Sequence, residues 1–431
     1  MIKLSSWGRI SADDHHVIDI FDTEKIITQV NNSLPGLAHG MGRSYGDVCL
    51  NSKGNIWRMT HLDHLISFDR ENGILTCESG VLLNVIQSLV MPCGWMLPVT
   101  PGTQMITVGG AIANDVHGKN HHFLGTFGHH IRTMKILRTT GEVITCGPNL
   151  LPEWFAATLG GMGLTGIILE ASIQLRSIQG PWLENETISF NNINEFFSLS
   201  ESSENSWEYT VAWIDCISSS GRGIFMRANH SHEKNILFQK KHKRRVPITP
   251  PFSLVNNLTL KPFNNAYYYL KKWKEGKELM HYEPFFYPLD NVLEWNRLYG
   301  TSGFYQYQCV IPFPQGSDTI EEILQVISKS GMGSFLAVLK SFGKKPSSGM
   351  LSFPMHGITL ALDFPNQNER THALFKKLDA IVRDSNGRIY CAKDATMPRE
   401  IFERGYPKFR EFAQYRDPGI SSSLSRRLLG A

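Results

Sequence analysis

Glycine, histidine and apolar residues are interleaved in one stretch of the chain, from Pro101 to His130: PGTQMITVGGAIANDVHGKNHHFLGTFGHH. Six of its residues are glycine: Gly102, Gly109, Gly110, Gly118, Gly125 and Gly128. Backbone without Cβ atoms can approach a ligand closely and offer its N–H groups, which suits a phosphate or a flat ring. The histidines beside it bring donors and acceptors that titrate near neutral pH. A second stretch, His39 to Asp47 (HGMGRSYGD), spaces Gly40, Gly42 and Gly46 with Arg43, Ser44 and Tyr45 between them. It too suits a pyrophosphate. It is not the dinucleotide fingerprint, because G-x-G-x-x-x-G is one residue too long. The following VCLNSKGNIWRMTHL reads as turn and strand where that fingerprint needs a helix. Taken singly, each stretch is equally a glycine-rich turn.

Other residues carry chemistry in sparser patterns. Lys393 ends the run IYCAK with Asp394 beside it, and on sequence alone it is a surface lysine paired with that carboxylate. His117 and His121 have the i, i+4 spacing of a helical zinc site. Gly118 and Asn120 weaken a helix there, and no Asp, Glu or Cys follows at ligand spacing, so no metal is expected. Gln306 and Gln308 alternate in YQYQC and share one face of a strand, in a site or against solvent. The one dense basic run, Gln239 to Arg245 (QKKHKRR), precedes Pro247, Pro250 and Pro251. It suits an anionic membrane surface or a solvated loop.

These residues need a scaffold, and 431 residues are enough for more than one domain. A net charge of +4 is small for that length and argues against a nucleic-acid protein. Seven scattered cysteines without a C-x-x-C pair suggest reduced thiols and a cytoplasmic setting. The start, MIKLSSWGRISADDHH, lacks the apolar core of a signal peptide, and no apolar run is long enough to span a bilayer. Any membrane contact is therefore expected to be peripheral. Periodicity predicts a helix capped from Asp22 or Thr23 and running to Val30, and another over 81–91. Strands are expected over 57–59, 65–68, 74–78 and 167–175, with a hairpin of 133–137 and 142–145. From 181 to about 387 the chain turns aromatic-rich. Strands are expected there over 209–214, 223–227 and 358–364, and helices over 320–330 and 371–383. A last strand is expected over 389–393.

The order GMGRSYGD, a strand pair, then PGT…TVGGAIANDVHGKN resembles the flavoprotein oxidases of the vanillyl-alcohol oxidase type. Within them it resembles the oxidase subunits of decaprenylphosphoryl-β-D-ribose 2′-epimerases. HGKNHH (117–122), GLTGII (163–168), EWNRLYG (294–300), YQYQ (305–308) and AKD (392–394) extend the likeness nearly end to end. It implies an α+β fold in three parts. Residues 1–180 would form the main part of a two-lobed FAD-binding domain. Residues 181–387 would form a mixed α/β substrate domain on an antiparallel sheet. Residues 388–431 would complete the FAD domain.

The resemblance also implies a site. The pyrophosphate would be wrapped by Ala38, His39, Gly40, Met41, Gly42, Arg43, Ser44, Tyr45, Gly46, Asp47 and Val48, with Thr107, Val108, Gly109 and Gly110 continuing the wall. Asn114, Asp115, Val116 and His117 would run beside the isoalloxazine, near Gly102, Ile168 and Tyr390. Relatives that attach the flavin covalently use a histidine where Arg43 stands. A guanidinium is no such nucleophile, so non-covalent FAD is expected. Lys393 and His117 become the catalytic candidates, as a cation beside the flavin and a base for the hydroxyl proton. Gln306, Gln308, Lys340 and Ala361 would line the substrate pocket, with Trp213, Phe286 and Phe335 as apolar walls; some relatives carry a cysteine in place of Ala361. The implied reaction is oxidation of a sugar hydroxyl, at C2 of a polyprenyl-phosphate pentose. A separate NADH-dependent short-chain reductase would complete an epimerisation. An aldonolactone or alditol oxidase using oxygen, and a flavin-binding assembly protein without catalysis, are the alternatives.

Overall fold

The computed structural model describes residues 1–218, 220–233 and 243–430. Three sheets carry the site. The first has four strands in the order Ile2–Ser5, Ala12–Asp19, Asn55–Arg58 and Gly36–His39, the last three mutually parallel. Its centre, NIWR, buries Ile56 and Trp57 completely, as a strand covered on both faces must. The parallel strand Gly36–His39 runs straight into the first glycine loop. Open sheets of this kind bind ligands at the carboxyl ends of their strands.

The second sheet is antiparallel, in the order Leu65–Asp69, Ile74–Glu78, Ile167–Gln174, Ile131–Leu137, Val143–Cys146. Alternate residues such as Leu75, Cys77, Met134, Ile136, Ala171 and Ile173 share one apolar core with the helices Leu83–Val90, Val108–Ala113 and Pro152–Thr158. The third sheet has eight antiparallel strands: Gly276–His281, Trp182–Phe190, Gly223–His230, Tyr209–Ile214, Ala337–Phe342, Gly357–Pro365, Phe304–Pro312 and Arg388–Ile389. Helices Ile193–Ser203, Gly316–Ser330 and Glu369–Asp384 pack into the core beneath it. The opposite face of its central strands is left to the site. The C-terminal helix Ser423–Leu428 returns to the first sheet, where the Gly36 N–H donates to Gly419 and Ser421 N–H to Gly36.

Several expectations need correcting. The first helix is Ile26–Asn31, begun at Lys25 without a side-chain cap; Asp22 instead accepts the Glu24 N–H. The strand expected over 389–393 covers only Arg388–Ile389. Beyond it the Tyr390 carbonyl accepts the N–H groups of Lys393 and Asp394, which closes a turn. Helices Ile193–Ser203 and Asn257–Trp273 were not expected. Of the basic run, only Lys243, Arg244 and Arg245 lie among the described residues. No described helix is long and apolar enough to cross a membrane.

Candidate active site

The three sheets converge on one cavity of about 1030 Å³. The loop after Gly36–His39 forms one end. The Tyr45 N–H donates to the Ala392 carbonyl at 3.0 Å, and the Ser44 carbonyl accepts from Trp7, so the loop is fixed at its far side. Gly46 makes that contact possible, because a Cβ there would overlap the Asp394 carbonyl. The N–H groups of Gly40, Met41, Gly42, Arg43 and Ser44 find no protein acceptor among the described residues. These five residues are half-buried, and five consecutive free amides beside a cavity form a cradle for an anion. The Arg43 guanidinium lies 4.2 Å from the Trp7 ring, and its Nε has no hydrogen-bond partner among the described residues.

The second glycine stretch forms the floor. Thr107 caps Val108–Ala113 by accepting the Gly110 N–H at 3.1 Å, while the Gly109 N–H donates to Ser79. Asn114 gives its amide N–H to Gly110 O, and its buried Oδ1 has no partner among the described residues. Ser79 Oγ, at the same wall, likewise has no partner among the described residues. These orphaned polar atoms, the free amides and the small residues between them fit a dinucleotide with a polar flat ring. FAD therefore fits this cavity.

The large sheet supplies the facing wall. Its register sets Gln308 opposite Ala361, Ala361 opposite Val338, and Val338 opposite Trp213. One step along, Lys340 lies opposite Thr359; on the other side, Gln306 lies opposite Asp363. Period-two alternation points all of these to one face. Gln308 Nε2 lies 3.1 Å from His117 Nε2, and Lys340 Nζ lies 3.3 Å from His117 Nδ1. Burial, reinforced by Lys340, holds the His117 pKa well below the ordinary imidazole value, so the ring is neutral. Lys340 is itself lowered to about 7 by burial and by the nearby Lys119 and Lys393. Lys393 Nζ lies 3.8 Å from the centre of the Tyr45 ring. Burial lowers its pKa, and the Asp363 carboxylate opposes that shift. Asp394 is not its partner, since that carboxylate is held by Arg427 at 2.8 Å.

Of the residues singled out by sequence, five stand behind the cavity wall. Gly46 and Asp47 brace the loop, the latter through Arg427. Val108 is fully buried in its helix. Asp115 accepts the Gly128 N–H and the Ser352 hydroxyl. Phe286 is packed among Tyr209, Tyr282 and Tyr287, and its neighbour Phe285 takes the place at the wall. The remaining site residues border the cavity. His121 does not join a ligand cluster; its ring is buried against Phe342 at 4.5 Å.

Sequence reasoning missed Asp363 and Lys119. Asp363 was signalled by the alternation Thr359, Ala361, Asp363. Lys119 lies within HGKNHH itself. Its Nζ donates to Phe286 O at 2.9 Å, and burial lowers it to about 7. An unfolded lysine, with a pKa near ~10.4, binds its proton across the window in which the folded one has lost it. Stability therefore rises with pH from about 7 to about 10 through this group. Lys119→Met is expected to stabilise the ligand-free protein by roughly 1–3 kcal/mol. The gain should be larger at mildly acidic pH than above about pH 9. Thermal melts at the two pH values check it, and a uniform loss of stability would contradict it.

Residues 21–147 match the family model described as FAD binding domain. The decaprenylphosphoryl-β-D-ribose oxidase of Mycolicibacterium smegmatis is 34% identical over 99% of this chain and 97% of its own length. An uncharacterised protein of Streptomyces coelicolor is 28% identical over 81% of this chain and all of its own length. The L-gulonolactone oxidase of Scyliorhinus torazame is 26% identical over 31% of this chain and 30% of its own length. A glycine cradle with free amides, a facing polar sheet and a relative matched end to end lead to one assignment: the chain is an FAD-dependent oxidoreductase and belongs to the family of the decaprenylphosphoryl-β-D-ribose oxidases.

Proposed function

We propose that this protein oxidises a secondary hydroxyl of a phosphate-bearing sugar, at C2 of a polyprenyl-phosphate-linked pentose, as the first half of an epimerisation. In this reading the four- and five-stranded sheets are the two lobes that hold FAD. Bound FAD supplies a two-electron acceptor for the hydride leaving the carbinol carbon. The observation that carries the substrate class is the pair Lys119 and Lys340. Both are half-buried at the cavity wall, and neither has a carboxylate partner among the described residues. Such cations suit an anionic substrate better than a neutral lactone. Gln306 and Gln308 offer amides to the sugar hydroxyls.

His117 is neutral and takes the hydroxyl proton on a ring nitrogen, held in place by Gln308 and Lys340. Lys393 keeps a positive charge where negative charge develops, with Asp363 balancing it between turnovers. The ketone product needs a hydride donor of its own, which we assign to a separate NADH-dependent short-chain reductase.

Anaerobic mixing with a polyprenyl-phosphoryl ribose should bleach the flavin, and free aldonolactones should not. Bleaching by lactones alone would move the protein to the soluble sugar oxidases. Bleaching by neither would refute the substrate class. The flavin itself should be released. Arg43 stands at the attachment place, and burial pushes the thiol of Cys49, the cysteine at the cavity wall, up to about 12, so no thiolate forms. Acid precipitation is expected to leave FAD in the supernatant, and yellow colour in the pellet would contradict this.

A further inference from the structure

Helix Asn257–Trp273 carries two opposite stripes. Leu260, Asn264 and Tyr268 face inward and are buried. The outward stripe is Leu258, Pro262, Ala266, Tyr269 and Trp273, at helical spacing, all exposed. Leu258 is 87% exposed and Trp273 82%, and in the preceding loop Ile248 is 72% and Phe252 65% exposed. A single exposed leucine needs no explanation, but a contiguous apolar strip with aromatic residues does.

The same stretch holds the chain's positive charge. Residues 243–277 include eight Lys or Arg and one Glu, whereas the whole chain carries only +4. The excess of cations here thus exceeds that of the entire protein. Lys243, Arg244 and Arg245 are exposed; Arg244 and Arg245 pair along the backbone with Val292 and Leu293, and Arg245 Nε lies 3.5 Å from Glu294. Apolar and aromatic side chains flanked by Lys and Arg are what an anionic bilayer interface binds.

The helix also borders the cavity. Phe263 packs on Phe335 at 4.4 Å and Tyr267 on Trp213 at 4.7 Å, and Arg245, Phe263, Tyr267 and Lys271 line the cavity. Phe263, 44% exposed, thus joins the outer surface of the helix to the sheet wall.

We propose that helix Asn257–Trp273 and the loop before it dock on the surface of an anionic lipid bilayer, with the cavity mouth turned toward the headgroups. This deepens the reading of a lipid-linked substrate and rests on it for its purpose: the tail stays in the bilayer while the phosphosugar enters. The docking itself is separable from the chemistry.

The test uses the FAD-loaded full-length protein, followed by its flavin absorbance after sedimentation with vesicles. Vesicles of phosphatidylcholine with about one third phosphatidylglycerol should pellet it, and pure phosphatidylcholine should pellet at least about tenfold less. The variant Leu258→Glu/Tyr269→Glu/Trp273→Glu should lose at least about tenfold of that binding while keeping its flavin spectrum and melting temperature. A second variant, Lys272→Glu/Lys274→Glu, should lose binding in a salt-dependent way. Failure of wild type to pellet with anionic vesicles, or retention of binding by the triple variant, would overturn the proposal. So would a wild-type dimer that the triple variant dissolves without any vesicle binding, since the strip would then be an interface between copies. No substrate is present in these mixtures. A protein that sediments with vesicles but is not bleached by the lipid-linked sugar keeps the docking and loses the substrate.

Discussion

Lys393→Ala is expected to slow substrate-driven flavin reduction by at least about 10²–10³-fold, the usual effect of removing one preorganised group aimed at developing charge, while leaving FAD bound. The side chain is half-buried at the cavity wall, with its ammonium against the Tyr45 ring. FAD binding does not depend on it, because the amides of Gly40 to Ser44 and the Thr107–Gly110 turn form the cradle on their own. Nor should the fold collapse. The variant leaves Asp363 buried without its cation, but that carboxyl is already raised by burial and is hydrogen-bonded to Gln306 at 2.6 Å, so it can take up a proton.

A pH signature follows. The active form is the ammonium, and its folded pKa is lowered, so the reduction rate falls as pH rises through that lowered value. The alkaline limb should therefore lie below the ordinary lysine value of ~10.4, and it should vanish in Lys393→Ala. Rapid-mixing reduction under anaerobic conditions reads both effects. Unchanged rates in a variant with full FAD content would remove Lys393 from the mechanism.

How much of this was legible in the sequence depends on the range of each signal. Period-two alternation is local, so the shared face of Gln306 and Gln308 could be read directly, and the strand Tyr209–Ile214 matched its expected bounds. The same rule contains Asp363, two steps of the alternation from Thr359 through Ala361. Helix Asn257–Trp273 was hidden for a physical reason. Pro262 interrupts the run, and the buried line Leu260, Asn264 and Tyr268 has a polar asparagine at its centre. Lys393 and Asp394 show the limit most plainly. Adjacency suggested an ion pair, yet the Tyr390 turn sends the lysine to Tyr45 and the carboxylate to Arg427, which lies in the C-terminal helix. No local pattern encodes a partner that far along the chain.

That long-range partner supports the second large effect. Arg427→Ala is expected to destabilise the protein by about 2–3 kcal/mol, below the cost of breaking a fully buried pair because only Asp394 is buried while Asp47 and Arg427 are partly exposed. Arg427 donates from Nε and Nη2 to both oxygens of Asp47 at 3.0 and 2.8 Å, from Nη2 to Asp394 at 2.8 Å, and from Nη1 to the Met397 carbonyl at 2.6 Å. One guanidinium thus ties the C-terminal helix to the end of the first glycine loop and to the residue after Lys393. Asp394 in turn accepts the N–H groups of Thr396 and Met397, which shapes the turn that presents Lys393. Burial already raises the Asp47 pKa despite Arg427. Without the arginine that carboxylate rises further, and a carboxylate with a raised folded pKa destabilises the fold at pH values above its unfolded pKa. The deficit of the variant should therefore be largest near neutral pH and should narrow as pH falls and the folded carboxyl takes up its proton. Arg427→Lys keeps the charge but not the fork, and should fall between. The measurement is the temperature of FAD release, followed by flavin fluorescence, at mildly acidic and neutral pH. If Arg427→Ala releases FAD at the wild-type temperature, the C-terminal helix is not what holds the loop and the Lys393 turn together, and their contacts through Gly46 and the Ala392 carbonyl must suffice.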